Sequence, residues 1–133
     1  MTAIQPELAV RRGREAVDFY VAAFGATVVH RVGGTAGNPS IVAQLTVGEA
    51  AFWVSDEAPD SGQHSPESLG GGTVRLLLVV DDPADVVGRA AGLGATVTAP
   101  VHEEHGWRLG RIVDPYGHHW EIGHPVGPWP PGA

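Results

Sequence analysis

The sequence predicts an α+β chain built from two tandem βαβββ units, and three observations predict it. The junctions Phe24-Gly25-Ala26-Thr27-Val28 and Leu93-Gly94-Ala95-Thr96-Val97 nearly repeat, 69 residues apart. Each junction follows a run with apolar residues at helical spacing and precedes a β-branched run, so a period near 3.6 gives way to a period of 2 in both copies. Between the copies, residues 57–72 are polar and rich in Gly, Pro and Ser, the composition of a mobile connecting loop. The units then fall at about 4–56 and 73–124, with a proline-rich tail at 125–133. Neither unit, at roughly 60 residues, has much core of its own, so each must bury its sheet against a partner.

The elements follow in order. Residues 5–10 read as a short strand with Leu8 and Val10 on one face. Arg11, Arg12 and Gly13 break it, and residues 14–24 set Ala16, Phe19, Tyr20, Ala23 and Phe24 on one helical stripe that Gly25 closes. Residues 26–32 are a strand and 33–40 a loop of small residues; 41–47 and 50–55 form a hairpin around Gly48-Glu49. In the second copy, 73–80 is a strand and 83–93 a helix, with Asp82 as N-cap, Pro83 in the first turn and Gly94 at the end. Residues 95–100 form a strand, and 101–107, which hold His102 and His105, read as a solvated loop. Residues 111–113 and 118–122 flank the turn Asp114-Pro115-Tyr116-Gly117, where Pro fixes φ, Asp caps its own turn and Gly accepts a positive φ. Period-two geometry puts His119 and Glu121 on one face and His118, Trp120 and Ile122 on the other. With Trp120 and Ile122 packed, Glu121 points to where a carboxylate meets a ligand, a metal ion or an arginine. The tail is expected to be extended, docked by the Trp129 indole or frayed.

Composition narrows the chemistry. Cysteine is absent, which excludes disulfides, thiolate nucleophiles and cysteine-held zinc. All eight basic residues are arginines, which excludes Schiff-base lysine chemistry. A net charge of -7 without a basic cluster argues against nucleic acid as a partner. No apolar run approaches the roughly 18 residues of a membrane span, so a cytoplasmic protein with no membrane partner is expected.

The phrases EAVDFYVAAFGA (15–26), VSDEAP (54–59) and WRLGRIVDPYGHHWEI (107–122), together with the paired βαβββ order, resemble the vicinal oxygen chelate superfamily, and within it the PhnB-like branch. That superfamily includes glyoxalase I, extradiol dioxygenases, fosfomycin-resistance enzymes and bleomycin-binding proteins. The resemblance implies a partly open mixed sheet curled into a cup, commonly in a homodimer. In metal-dependent members four ligands line the cup. Carried over by position, the first falls on Gln5 and the fourth on Glu121, which are the two candidate metal ligands. The other two positions fall near Trp53 and on Arg75, and neither indole nor guanidinium can coordinate a cation.

Arg75 and Glu121 are therefore expected to pair, giving a cup suited to recognition. The ligand-binding candidates are Arg75, Glu121, Trp53, Trp107 and Gln5. Both tryptophans read either as stacking walls or as simple packing. The leading expectation is a homodimeric small-molecule-binding protein that takes an aromatic or acidic metabolite or antibiotic without a metal cofactor. The alternative is a lyase, isomerase or dioxygenase using Ni, Zn, Mn or Fe, with Glu121 and His119 as catalytic candidates and Gln5 and His102 as further ligands.

Overall fold

In a computed structural model that describes residues 1–132, the chain divides into two compact units, residues 1–72 and residues from 73 onward. The first runs β1 (Glu7–Val10), α1 (Gly13–Phe24), β2 (Thr27–Thr35), β3 (Asn38–Val47) and β4 (Ala50–Asp56), with sheet order β1-β4-β3-β2. Strand β1 lies parallel to β4, and the other pairs are antiparallel. Helix α1 forms because Ala16, Tyr20, Ala23 and Phe24 share one face, all buried. It stops at Gly25, whose φ of 69° is a left-handed cap. Its partners across the core are Leu8, Val10, Leu45, Phe52 and Val54, with Tyr20 edge-on to Phe52 at 5.4 Å. Each of these large side chains, taken out of water, contributes about 1.5–3 kcal/mol.

Two expectations change in this unit. The segment expected as a loop at 33–40 is mostly strand: β2 continues to Thr35, β3 begins at Asn38, and only residues 36–37 turn. Gly33 and Gly34 sit at φ 78° and 75° and bulge the strand without ending it. The expected mobile loop at 57–72 is also built. Asp56 still belongs to β4, where its carboxylate accepts from the Gly13 and Ile41 amides at 3.0 and 2.7 Å. A 3-10 turn (Pro59–Ser61) and the short helix α2 (Pro66–Leu69) follow. Ser65, fully buried, caps α2, and Glu57 accepts from the Ser65 amide at 2.9 Å and the Ser68 hydroxyl at 2.9 Å. Those bonds hold the Glu57 carboxyl below its ordinary pKa, the Ser65 amide most and the Ser68 hydroxyl next.

The second unit runs β5 (Arg75–Val79), α3 (Pro83–Gly92), β6 (Thr96–Glu104), β7 (Trp107–Val113) and β8 (His119–Pro125), in sheet order β5-β8-β7-β6. Asp82 caps α3 as expected, accepting from the Asp85 amide at 3.2 Å. The helix sets Val86, Val87 and Ala90 against the sheet face that carries Leu78, Ile112, Trp120 and Ile122. The solvated loop expected at 101–107 is instead a hairpin. Strand β6 runs to Glu104, and His105 and Gly106, at φ 52° and 81°, make the two-residue turn. Positive φ at both central residues gives a twist that matches the strands, usually supplied by Asn-Gly, and His-Gly hides the signal. Strand β8 extends to Pro125, so only the residues after it form the tail.

The turn after β7 is held by one side chain. Asp114, 3% exposed, accepts from the Tyr116 amide at 2.9 Å, the His118 amide at 3.0 Å and the Trp120 indole at 2.9 Å. The expected Asx turn is thus also the anchor of a core tryptophan, and it fixes the β7–β8 register.

Candidate functional site

Strand parity decides what each sheet turns away from its helix. On β5 Leu78 is buried and Leu76 partly so, while Arg75, Leu77 and Val79 are exposed. On β8 Trp120 and Ile122 are buried, and His119 and Glu121 face the other way. The parallel register sets Arg75 beside His119 and Leu77 beside Glu121. The antiparallel register sets Arg111 of β7 directly opposite Glu121. Arg75, Leu77, Val79, His119, Glu121, Arg111 and Trp107 therefore share the helix-free face of the second unit.

The expected Arg75–Glu121 pair is present: Arg75 Nε lies 3.6 Å from Glu121 Oε1. With its guanidinium half exposed and no hydrogen bond between the two, that pair is worth well under about 1 kcal/mol. The closer partner is Arg111, whose Nε donates to Glu121 Oε2 at 3.0 Å. The other end of the same guanidinium donates to Glu104 on β6, at 3.2 and 3.4 Å to its two oxygens. Glu104 in turn meets His102 Nε2 at 2.7 Å, and His102 Nδ1 lies 2.8 Å from the Pro100 carbonyl oxygen. The chain of contacts Arg75, Glu121, Arg111, Glu104, His102 crosses all four strands of the sheet.

Each shift in this chain has a local cause. The Pro100 carbonyl, then the Glu104 carboxylate, raise the His102 pKa above its ordinary value, since both stabilise the imidazolium. Hydrogen bonds from His102 and then Arg111 lower that of Glu104. Glu104, then Glu121, hold the Arg111 guanidinium more firmly charged.

Trp107 stands four residues from Arg111 on the same face of β7, about 13 Å along the strand, with Leu109 between them. Its ring comes so close to Gly123 that a Cβ there would lie 3.3 Å from the indole and 3.1 Å from Leu109, which is why a glycine fills that position. Trp129 from the tail meets Trp107 edge to face at 5.3 Å, so the tail docks by its indole. His119 is exposed and makes no hydrogen bond or ion pair among the described residues.

The remaining candidates belong to the first unit. Gln5 precedes β1 instead of lying in it, and its Oε1 accepts from Trp53 Nε1 at 2.8 Å and Gln44 Nε2 at 3.0 Å. His30 stands edge-on to Trp53 at 6.2 Å. Sequence reasoning missed Arg111, Glu104 and Gln44. For Arg111 the signal was in the hairpin: counting two residues away from the turn on each strand, from the Val113–His119 pair, sets it against Glu121. Among the described residues, no cluster of three or more His, Asp or Glu side chains is arranged to hold a metal ion. Two depressions of about 210 and 220 Å³ open elsewhere, one beside Arg108 and His124 and one beside Arg12 and Asp56.

Two four-stranded mixed sheets, each in a βαβββ unit, define an α+β glyoxalase-like fold. The chain belongs to the Glyoxalase/Bleomycin resistance protein/Dioxygenase superfamily, whose description matches residues 3–122. It is 38% identical over 128 residues to an uncharacterized protein of Mycobacterium tuberculosis, covering 93% of this chain and 75% of that one. Among solved structures, a Pseudomonas aeruginosa protein superposes with a TM-score of 0.73 at 23% identity, over 94% of this chain and 98% of the other. A fosfomycin resistance protein of Listeria monocytogenes, complexed with Mn(II) and 1S,2S-dihydroxypropylphosphonic acid, gives 0.70 at 14% identity, over 97% and 95%. No helix of the described residues is long and apolar enough to cross a membrane.

Proposed function

We propose that this chain is a small-molecule-binding protein of the glyoxalase and bleomycin-resistance type, within the PhnB-like branch, that takes an acidic aromatic ligand without a metal ion. The ligand's carboxylate lies against Arg111 and Arg75 and its body runs over Leu77, Leu109 and Val79, so that a long ligand sets its aromatic end at Trp107, about 13 Å along the strand. The observation that carries this reading is the placement of Glu121 between two guanidinium groups, Arg75 at 3.6 Å and Arg111 at 3.0 Å.

That donor set does not suit a divalent ion. Both oxygens of Glu121 face cations, which repel a metal, and Gln5 Oε1 already accepts two hydrogen bonds. An anion, by contrast, gains from both arginines. The reading includes a cytoplasmic location and a homodimer, the second of which sedimentation would test.

The test is a calorimetric screen of aromatic carboxylates, benzoate first, on protein stripped with a chelator. Binding that survives the chelator and is lost in Arg111→Ala supports the reading. Binding that appears only when Mn, Ni, Zn or Fe is added overturns it and favours the metal-dependent lyase, isomerase or dioxygenase. The Mn(II) in the Listeria relative motivates that rival.

A further inference from the structure

A carbonyl oxygen can only accept a hydrogen bond, and an ionised carboxylate likewise. His102 presents Nδ1 to the Pro100 carbonyl at 2.8 Å and Nε2 to Glu104 at 2.7 Å. Neutral imidazole has one N–H and satisfies one of these; the imidazolium satisfies both. Glu104 is shared, since Arg111 donates to it from the other side at 3.2 Å. The state of one imidazole therefore decides how strongly Glu104 holds the guanidinium that the proposed ligand needs.

We infer that His102 is a positioning residue that links anion binding at Arg111 to proton uptake, so that the site grips an acidic ligand more tightly when His102 is charged. The inference rests on the binding role proposed above. With His102 neutral, the two guanidinium groups and two carboxylates of the network cancel. With it charged, one positive charge remains, and Glu104 has a cation of its own. Arg111 is then freer to turn its outer nitrogens to a ligand. By reciprocity the bound anion holds the proton on His102.

The other ionisable groups around His102 do not compensate. Strand β6 is the sheet edge, with β7 as its one strand neighbour, and from that side Arg111 faces it, backed by Glu121 of β8 and Arg75 of β5. On β6 itself stands Glu104. His105 in the turn reaches Glu104 at 3.7 Å, but its side chain is 90% exposed and strongly screened. Helix α3 covers the opposite face, and its Asp85 and Arg89 pair with each other.

The experiment titrates the intact chain with benzoate, which stays ionised from about pH 5.5 to about pH 8.5. Affinity in the wild type is expected to fall roughly three- to tenfold across that range, from one extra charge several Å away in a half-exposed site. With His119, exposed on the same face beside Arg75, replaced by Gln in both proteins, His102→Gln, which keeps a donor toward Glu104 but does not titrate, is expected to make the affinity flat. The proton-detected titration of His102 in the free protein should lie above the ordinary histidine range and move down toward it in Glu104→Gln, where the Pro100 carbonyl still favours the charged ring. Binding with no pH dependence in the wild type, or an equal dependence in His102→Gln, overturns the linkage and leaves the binding role standing. Absence of benzoate binding at both ends of the range overturns both.

Discussion

Removing the carboxylate of Asp114 tests how the site is positioned. Asp114→Ala removes the acceptor of three N–H bonds, those of the Tyr116 and His118 amides and the Trp120 indole. The indole belongs to a residue 4% exposed, so water cannot replace the lost partner, and that alone costs about 1–3 kcal/mol. The Tyr116 amide, whose bond is buried, and the His118 amide, whose bond is part-buried, add about 1 kcal/mol each. The expected loss is roughly 3–5 kcal/mol, a large part of the roughly 5–15 kcal/mol of a typical domain. Urea unfolding followed by circular dichroism and tryptophan emission measures it. Asp114→Asn, which keeps one acceptor oxygen, should lose about half as much. A stability change for Asp114→Ala within about 0.5 kcal/mol would refute the claim that this side chain pins the turn.

Other expectations are narrower. Gly33→Ala forces a side chain into a φ of +78° and against the Ser40 carbonyl oxygen, and should cost about 2 kcal/mol or more in urea unfolding. Gly37→Ala, where a Cβ meets nothing within 4 Å, should stay within about 0.5 kcal/mol. Because the Glu57 pKa is lowered from 4.5, its contribution is present above that value and lost as pH falls through the folded one. The stability gap between wild type and Glu57→Gln should therefore close in acid. For His102 the sign reverses: its pKa is raised from 6.5, so its contribution is full below 6.5 and fades as pH climbs through the folded value. Thermal midpoints of wild type and His102→Gln, measured at intervals of pH, should converge at the alkaline end.

Much of this was legible in the chain itself. Helix α1 with its Gly25 stop, helix α3 with its Asp82 cap, and the alternation that turns Glu121 away from Trp120 follow from spacing and from backbone chemistry at single residues. The pairing of Arg75 with Glu121 was legible only through the family likeness. What escaped lies where partners are distant in sequence or where turn residues are atypical. Residues 57–72 looked mobile by composition, yet buried Ser65 and the bonds of Glu57 fix them, and polarity does not distinguish a solvated serine from a capping one. Residues 101–107 looked like a loop because the run is polar and its turn lacks the usual Asn-Gly, so the hairpin that brings Glu104 beside Arg111 stayed hidden. Without that hairpin the central cation of the face had no visible role.

The contact of Trp129 with Trp107 supplies an intrinsic optical probe. Trp120 is sealed in the core and should emit at short wavelength whatever happens outside, whereas the half-exposed Trp129 leans on the very ring proposed to stack with a guest. A red shift in the long-wavelength emission, with the short-wavelength component unchanged, would then register the tail lifting away as a molecule arrives. That gives a label-free readout for any compound library.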